Sequence, residues 1–153
     1  MLGVIFSSIW GLGDIFQRDN CQRTILHYLV EAKDMNRITT VVNWGADINA
    51  KDNRGWTPLH YTAKRGYEVG VKCLLYYNAN VNATDNDGLS PLTLAVHEGH
   101  LAIVKRLLKG GANPNRLNSK DVPIVRAMQR EHTNIVRLLL YHGADPTKKT
   151  FSE

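Results

Sequence analysis

The phrase GWTPLHYTAKRG runs from Gly55 to Gly66, and 33 residues further on the chain reads GLSPLTLAVHEG. Self-similarity at a fixed period of this length signals stacked supersecondary units rather than one globule of unlike elements. Windows of 33 residues starting at Asp19, Asp52 and Asp85 superpose without gaps. A fourth, starting at Asn118, is one residue shorter, the loss falling between Ser119 and Asp121. Each window closes on a related phrase: GADINAK at 45–51, NANVNAT at 78–84, GANPNRL at 111–117 and GADPT at 143–147. The chain is an array of 153 residues divided as 1–18, four repeats at 19–51, 52–84, 85–117 and 118–147, and a tail at 148–153.

Each window predicts two helices and a turn. Thr57 and Ser90 offer side-chain oxygens to the unpaired N–H groups of a helix start, and Pro58 and Pro91 follow where a missing N–H costs nothing. Leu59 with Ala63, and Leu92 with Ala95 and Val96, form an apolar stripe at helical spacing. Gly66 and Gly99 stop the first helix in a left-handed conformation. A second helix carries Val69, Val71, Leu74 and Leu75 in one window and Ile103, Val104, Leu107 and Leu108 in the next. It ends at Gly45, Asn78, Gly111 and Gly143, asparagine being the next-best residue for that backbone. Asn and Asp with Gly55 or Gly88 then reverse the chain. A two-helix unit of this size cannot bury its own apolar face, and stacking on equivalent neighbours does so.

The phrase TPLH at 57–60, followed by Tyr61, Thr62, Ala63 and Gly66, resembles the ankyrin repeat, and the resemblance covers 19–147. It implies an all-α solenoid of antiparallel helix pairs with projecting β-hairpin fingers. The pattern weakens at both ends, as terminal repeats that meet water tend to do. The first window has Gln22 for the finger glycine, Ile25 for proline and Lys33 for the helix stop. The fourth has Val122 for the capping hydroxyl, Val125 for the histidine and Glu131 for the glycine. Gly70, where the next window has Ile103, should weaken its helix by about 1 kcal/mol relative to alanine, and no sequence feature explains it.

Catalytic and metal chemistry finds no footing. His27 and His60 occupy the T-x-L-H slot, where the family resemblance implies hydrogen bonding within and between repeats. His97 and His100 flank Gly99, but no cysteine or carboxylate pattern completes a ligand set. Aligning DNDG at 85–88 with a calcium loop puts Ala83 and Leu94 where carboxylates are required. No phosphate loop and no G-x-S-x-G turn occurs. The sequence predicts a non-enzymatic protein with no cofactor and no metal.

Net charge is +5, but no window exceeds +2 and no block of like charge exists, which argues against nucleic-acid binding. Cys21 and Cys73, without C-x-x-C spacing, suit a reducing compartment. We expect a cytoplasmic monomer; the nucleus, or the cytosol of a host, is also compatible. The apolar segment MLGVIFSSIWGLGDIF lacks a leading basic residue and a cleavage site, and is too short to span a bilayer. It is expected to cap the first repeat. The competing reading makes residues 1–16 a lipid-touching or oligomerising arm of a membrane-associated scaffold.

Positions not used by the scaffold are free to specify a partner. On the fingers and first helices these include Arg23, Arg54, Trp56, Lys64, Arg65, Leu89, His97, Glu98, Gln129 and Arg130. Trp44 and Tyr77, just before their helix stops, are expected at the groove's edge. Trp56 carries two readings, a ring packed on a neighbouring finger or an exposed anchor beside Arg54. The expected activity is binding of a protein with some acidic groups, as adaptor or as inhibitor by occlusion.

Overall fold

The computed structural model describes residues 15–115 and 122–147. Among these residues eight helices follow one another in pairs: α1 (Ile25–Ala32) and α2 (Met35–Asn43), α3 (Pro58–Lys64) and α4 (Glu68–Tyr76), α5 (Pro91–Glu98) and α6 (Leu101–Lys109), α7 (Pro123–Gln129) and α8 (Thr133–Tyr141). First helices pack on first helices in chain order, and among the second helices α4 packs on α6 and α6 on α8. The predicted all-α solenoid is what forms. Apolar residues at equivalent positions make continuous columns through the stack. Leu26, Leu59, Leu92 and Ile124 form one, and Val41, Leu74, Leu107 and Leu139 another, all buried. Each leucine removed from water contributes about 2 kcal/mol, and no single pair of helices could bury it.

The capping logic is fuller than the hydroxyls alone suggested. Thr24 accepts from the backbone three residues on, while Nδ1 of His27 faces the Thr24 backbone N–H at 3.1 Å. Thr57 and His60 repeat the arrangement. The other ring nitrogen reaches the next repeat: Nε2 of His27 lies 3.0 Å from the Trp56 carbonyl, and Nε2 of His60 lies 3.1 Å from that of Leu89. Since Nδ1 accepts, Nε2 carries the proton and donates. In the third repeat Thr93 stands in the histidine slot and bonds Ser90 of its own helix, so the imidazole clamp ends there.

Left-handed backbone recurs at all three predicted places in each of the first three repeats, and at both helix stops of the fourth, whichever residue is present. Gln22, Lys33, Asn78 and Glu131 adopt φ of 60°, 57°, 61° and 57°. The stack imposes these angles on residues that dislike them. Among the described residues the fingers contain no β-strand. They are turns closed by carboxylates: Oδ1 of Asp52 accepts from the N–H groups of Arg54 and Trp56, and Oδ1 of Asp85 from those of Asp87 and Leu89. Single backbone bonds tie one finger to the next, Asn53 N–H to Cys21 and Asn86 N–H to Arg54, both 2.9 Å. One backbone bond per junction does not make a ladder, and the second junction adds side-chain bonds from Trp56 to Asp85 and from Asn86 to the Asn53 carbonyl. On the opposite loops a row of asparagines does similar work. Asn49, Asn82 and Asn115 each accept from a backbone N–H of the following repeat at 2.7–2.9 Å.

Gly70 acquires a reason. A Cβ there would lie 2.7 Å from Cε1 of Tyr67 and 2.8 Å from Cγ2 of Thr62. Tyr67 crosses the helix to donate to the Lys33 carbonyl of the previous repeat. His100, its counterpart, makes the same reach to the carbonyl of Lys64.

Candidate functional site

The fingers and first helices line a concave surface with two depressions. The first, about 380 Å³, is formed by Arg23, Glu31, Arg54, Trp56, Tyr61, Lys64, Arg65 and Glu98. The second, about 320 Å³, adjoins it across Trp56, Lys64 and Glu98, and adds Leu89, Thr93, Leu94, His97 and Arg126. Residues from all four repeats therefore meet in one groove. The local cause is the finger turn. Its carboxylate fixes the backbone of Arg54 and Trp56 on either side of Gly55 in sequence, which sits at φ +77° with Asn86 too close for any Cβ.

Trp56 is buried, with 9% of its surface exposed. Its Nε1 donates to Oδ2 of Asp85 at 2.9 Å, and its ring packs edge-on against Tyr61 and stacks beside His60. Of the two readings of Trp56, the ring packed on a neighbouring finger is the one its burial fits: the wall of the groove hides most of the indole because it joins two fingers. Two cations flank what remains, Arg54 at 5.8 Å from the ring and Lys64 at 5.2 Å. Such contacts hold the cations over the aromatic face. Neither makes an ion pair among the described residues.

The other charges of the groove are matched. Glu31 accepts from Arg65 at 2.7 Å and from Arg23 at 3.4 Å, and Arg23 also pairs with Asp19 and lies over the ring of Tyr28. Arg130 donates to Nε2 of His97 at 2.6 Å, leaving Nδ1–H of His97 for Glu98 at 3.3 Å. Burial raises the Tyr61 hydroxyl well above the ordinary phenol range, helped by its bond to Oδ2 of Asp52. Burial opposes ionisation of Asp19, but the bonds it accepts from Tyr28 and from the backbone of Arg23 and Cys21 outweigh that and hold it low. His27 and His60 are lowered by desolvation, His60 to about 4. Of these groups His27 and His60 hold repeats together, while Asp19 and Tyr61 brace their own.

The groove unites Arg23, Arg54, Trp56, Lys64, Arg65, Leu89, His97 and Glu98 of the sequence-predicted set. Arg130 joins through His97, and Gln129 lies exposed at the end of α7 beside it. Trp44 and Tyr77 line neither depression. They close α2 and α4, with Tyr77 edge-on to Tyr76. Glu31 and Arg126 escaped the sequence reading. Glu31 stands in register with Lys64 and His97, so the repeat alignment itself was the signal. Among the described residues no group of three or more His, Cys, Asp or Glu could hold a metal. No helix among them is long and apolar enough to cross a membrane. The apolar N-terminal segment lies outside the described residues except for Ile15, packed on the core, and the exposed Phe16.

Stacked helix pairs with a finger-lined groove define a helical-repeat protein. The family model for ankyrin repeats (three copies) matches the chain over residues 5–85, 26–118 and 63–150. The chain belongs to the ankyrin-repeat family, whose repeats generally serve protein–protein interaction. Among curated proteins, none matches.

Proposed function

We propose that this protein binds an acidic segment of a protein partner in its concave groove and acts by occupying that segment, as an inhibitor or adaptor. The observation that carries this reading is the pair Arg54 and Lys64. Both lie over the ring of Trp56, and neither has a carboxylate partner among the described residues, while the neighbouring Arg23 and Arg65 are matched by Glu31. Two cations held at an aromatic ring favour a carboxylate-bearing chain that also lays apolar atoms against it. Arginine and aromatic anchors at a groove's centre are the residues that dominate binding.

The test is capture of partners by the full chain and by the Arg54→Glu, Lys64→Glu variant, followed by affinity measurement on the proteins retained. Both residues are at the surface, so the fold should persist. The double reversal should weaken the relevant complex by about a hundredfold or more. Equal affinity for both forms would remove the groove from the account.

A further inference from the structure

The outer face of the stack carries a second charged surface, assembled from residues that are 32 or 33 positions apart. On α4 the exposed side chains Val69, Lys72 and Tyr76 follow i, i+3, i+7 spacing. The same positions are Ala102, Lys105 and Lys109 on α6, and Asn134, Arg137 and Tyr141 on α8; all are exposed. That spacing puts each trio on one helical face, and α4, α6 and α8 pack side by side in that order. With adjacent axes about 10 Å apart, the grid is about 20 Å wide.

Its chemistry is one-sided. Lys72, Lys105, Lys109 and Arg137 make no ion pair among the described residues. The carboxylate on this part of the stack, Glu68, is taken by Arg106 at 2.7 Å. Large apolar groups stand among the cations. Val69 is 56% exposed, Leu101 41%, Leu140 48%, Tyr76 81% and Tyr141 86%. A phosphodiester chain would satisfy the cations but leave these aliphatic groups in water. An anionic bilayer surface satisfies both, because headgroups meet lysine and arginine while tyrosine and short aliphatic side chains enter the acyl boundary.

We infer that the outer face of α4, α6 and α8 docks reversibly on membranes rich in anionic lipid, leaving the concave groove turned to solvent. The lipid contact needs no insertion of a helix and does not depend on the groove's partner. Lys72, Lys105, Lys109 and Arg137 supply the attraction. Tyr76 and Tyr141, at the C-terminal ends of the outermost two helices, supply the shallow anchor.

Co-sedimentation of the full chain with vesicles tests this. The protein should pellet with vesicles of phosphatidylcholine and phosphatidylserine, stay in solution with phosphatidylcholine alone, and be released as salt is raised. Lys72→Glu, Lys105→Glu, Arg137→Glu should lower vesicle affinity by about tenfold or more, with the circular-dichroism melting profile kept. The neutral set Lys72→Gln, Lys105→Gln, Lys109→Gln should give a smaller loss and guards against misfolding of the first. Arg54→Glu, Lys64→Glu on the groove side should bind vesicles like the wild type. Failure to pellet with phosphatidylserine would overturn the inference, as would pelleting that survives the triple reversal. Binding of soluble polyglutamate, sensitive to the triple reversal, in the absence of vesicle binding would replace the membrane by an acidic protein.

Discussion

Nε1 of Trp56 donates to Oδ2 of Asp85 across 2.9 Å, joining the finger of the second repeat to that of the third. The same Asp85 uses Oδ1 to close its own turn through the N–H groups of Asp87 and Leu89. One carboxylate thus couples a finger's shape to its neighbour's position. Trp56→Phe removes the donor and leaves a buried oxygen unpaired, which should cost about 2 kcal/mol; Trp56→Ala should cost about 3–5 kcal/mol. Urea unfolding reads both. A change at Trp56 that spared stability would mean the indole is not the joint described here.

Acid should loosen the junctions before it neutralises the carboxylates. His60 is held at about 4 by burial and His27 is lowered for the same reason, while an unfolded chain binds these protons near pH 6.5. A depressed histidine contributes stability that is fully present above the unfolded value and declines as pH falls toward the folded value. For His60 that window runs from about 6.5 to about 4, and the loss is about 3 kcal/mol across it. Unfolding free energies at a series of pH values should show the decline, and His60→Gln should flatten it. A profile level across that range would contradict the clamp.

Glu131 holds a helix-stop position at φ +57°, where two other repeats use Gly66 and Gly99. Replacement by glycine relieves the backbone, partly offset by the freer unfolded chain. Glu131→Gly should raise stability by about 1 kcal/mol and lift the thermal midpoint in calorimetry. An unchanged or lower midpoint would show that the glutamate side chain makes up the difference.

Helix propensity alone says that Gly70→Ala should stabilise by about 1 kcal/mol. The ring of Tyr67 and the methyl of Thr62 predict the opposite, a loss of about 1–3 kcal/mol from overpacking. Changing Tyr67→His, the residue type that stands beside Ile103 in the third repeat, should recover much of that loss in a double-mutant cycle. Chemical denaturation of the four proteins decides between them.

The array was legible because its spacing is enforced by backbone chemistry: Pro58, Pro91, Gly66 and Gly99 carry caps and stops that any reader of the sequence can see. Degenerate ends were legible by register, since Lys33 and Glu131 fall where glycine belongs and adopt glycine's angles. Strand ladders in the fingers, implied by resemblance, were not found among the described residues, because each described junction carries a single backbone bond between fingers. Most of the groove followed from repeat position. The sequence left Trp56 between two readings, because its burial depends on Asp85 arriving from the next repeat beside Tyr61 and Lys64. The pairing of Glu31 with Arg65 was hidden for a related reason, being set by side-chain reach across a junction. The lysines of the outer face are spread singly through the sequence and become a surface only when the helices stand side by side.

Hydrogen–deuterium exchange of the full chain, alone and with a captured partner, tests the groove most directly. The account predicts new protection on the second and third fingers and the C-terminal ends of α3 and α5, around Arg54, Lys64, His97 and Glu98. Protection confined to segments outside the fingers and first helices, with those segments unchanged, would contradict it.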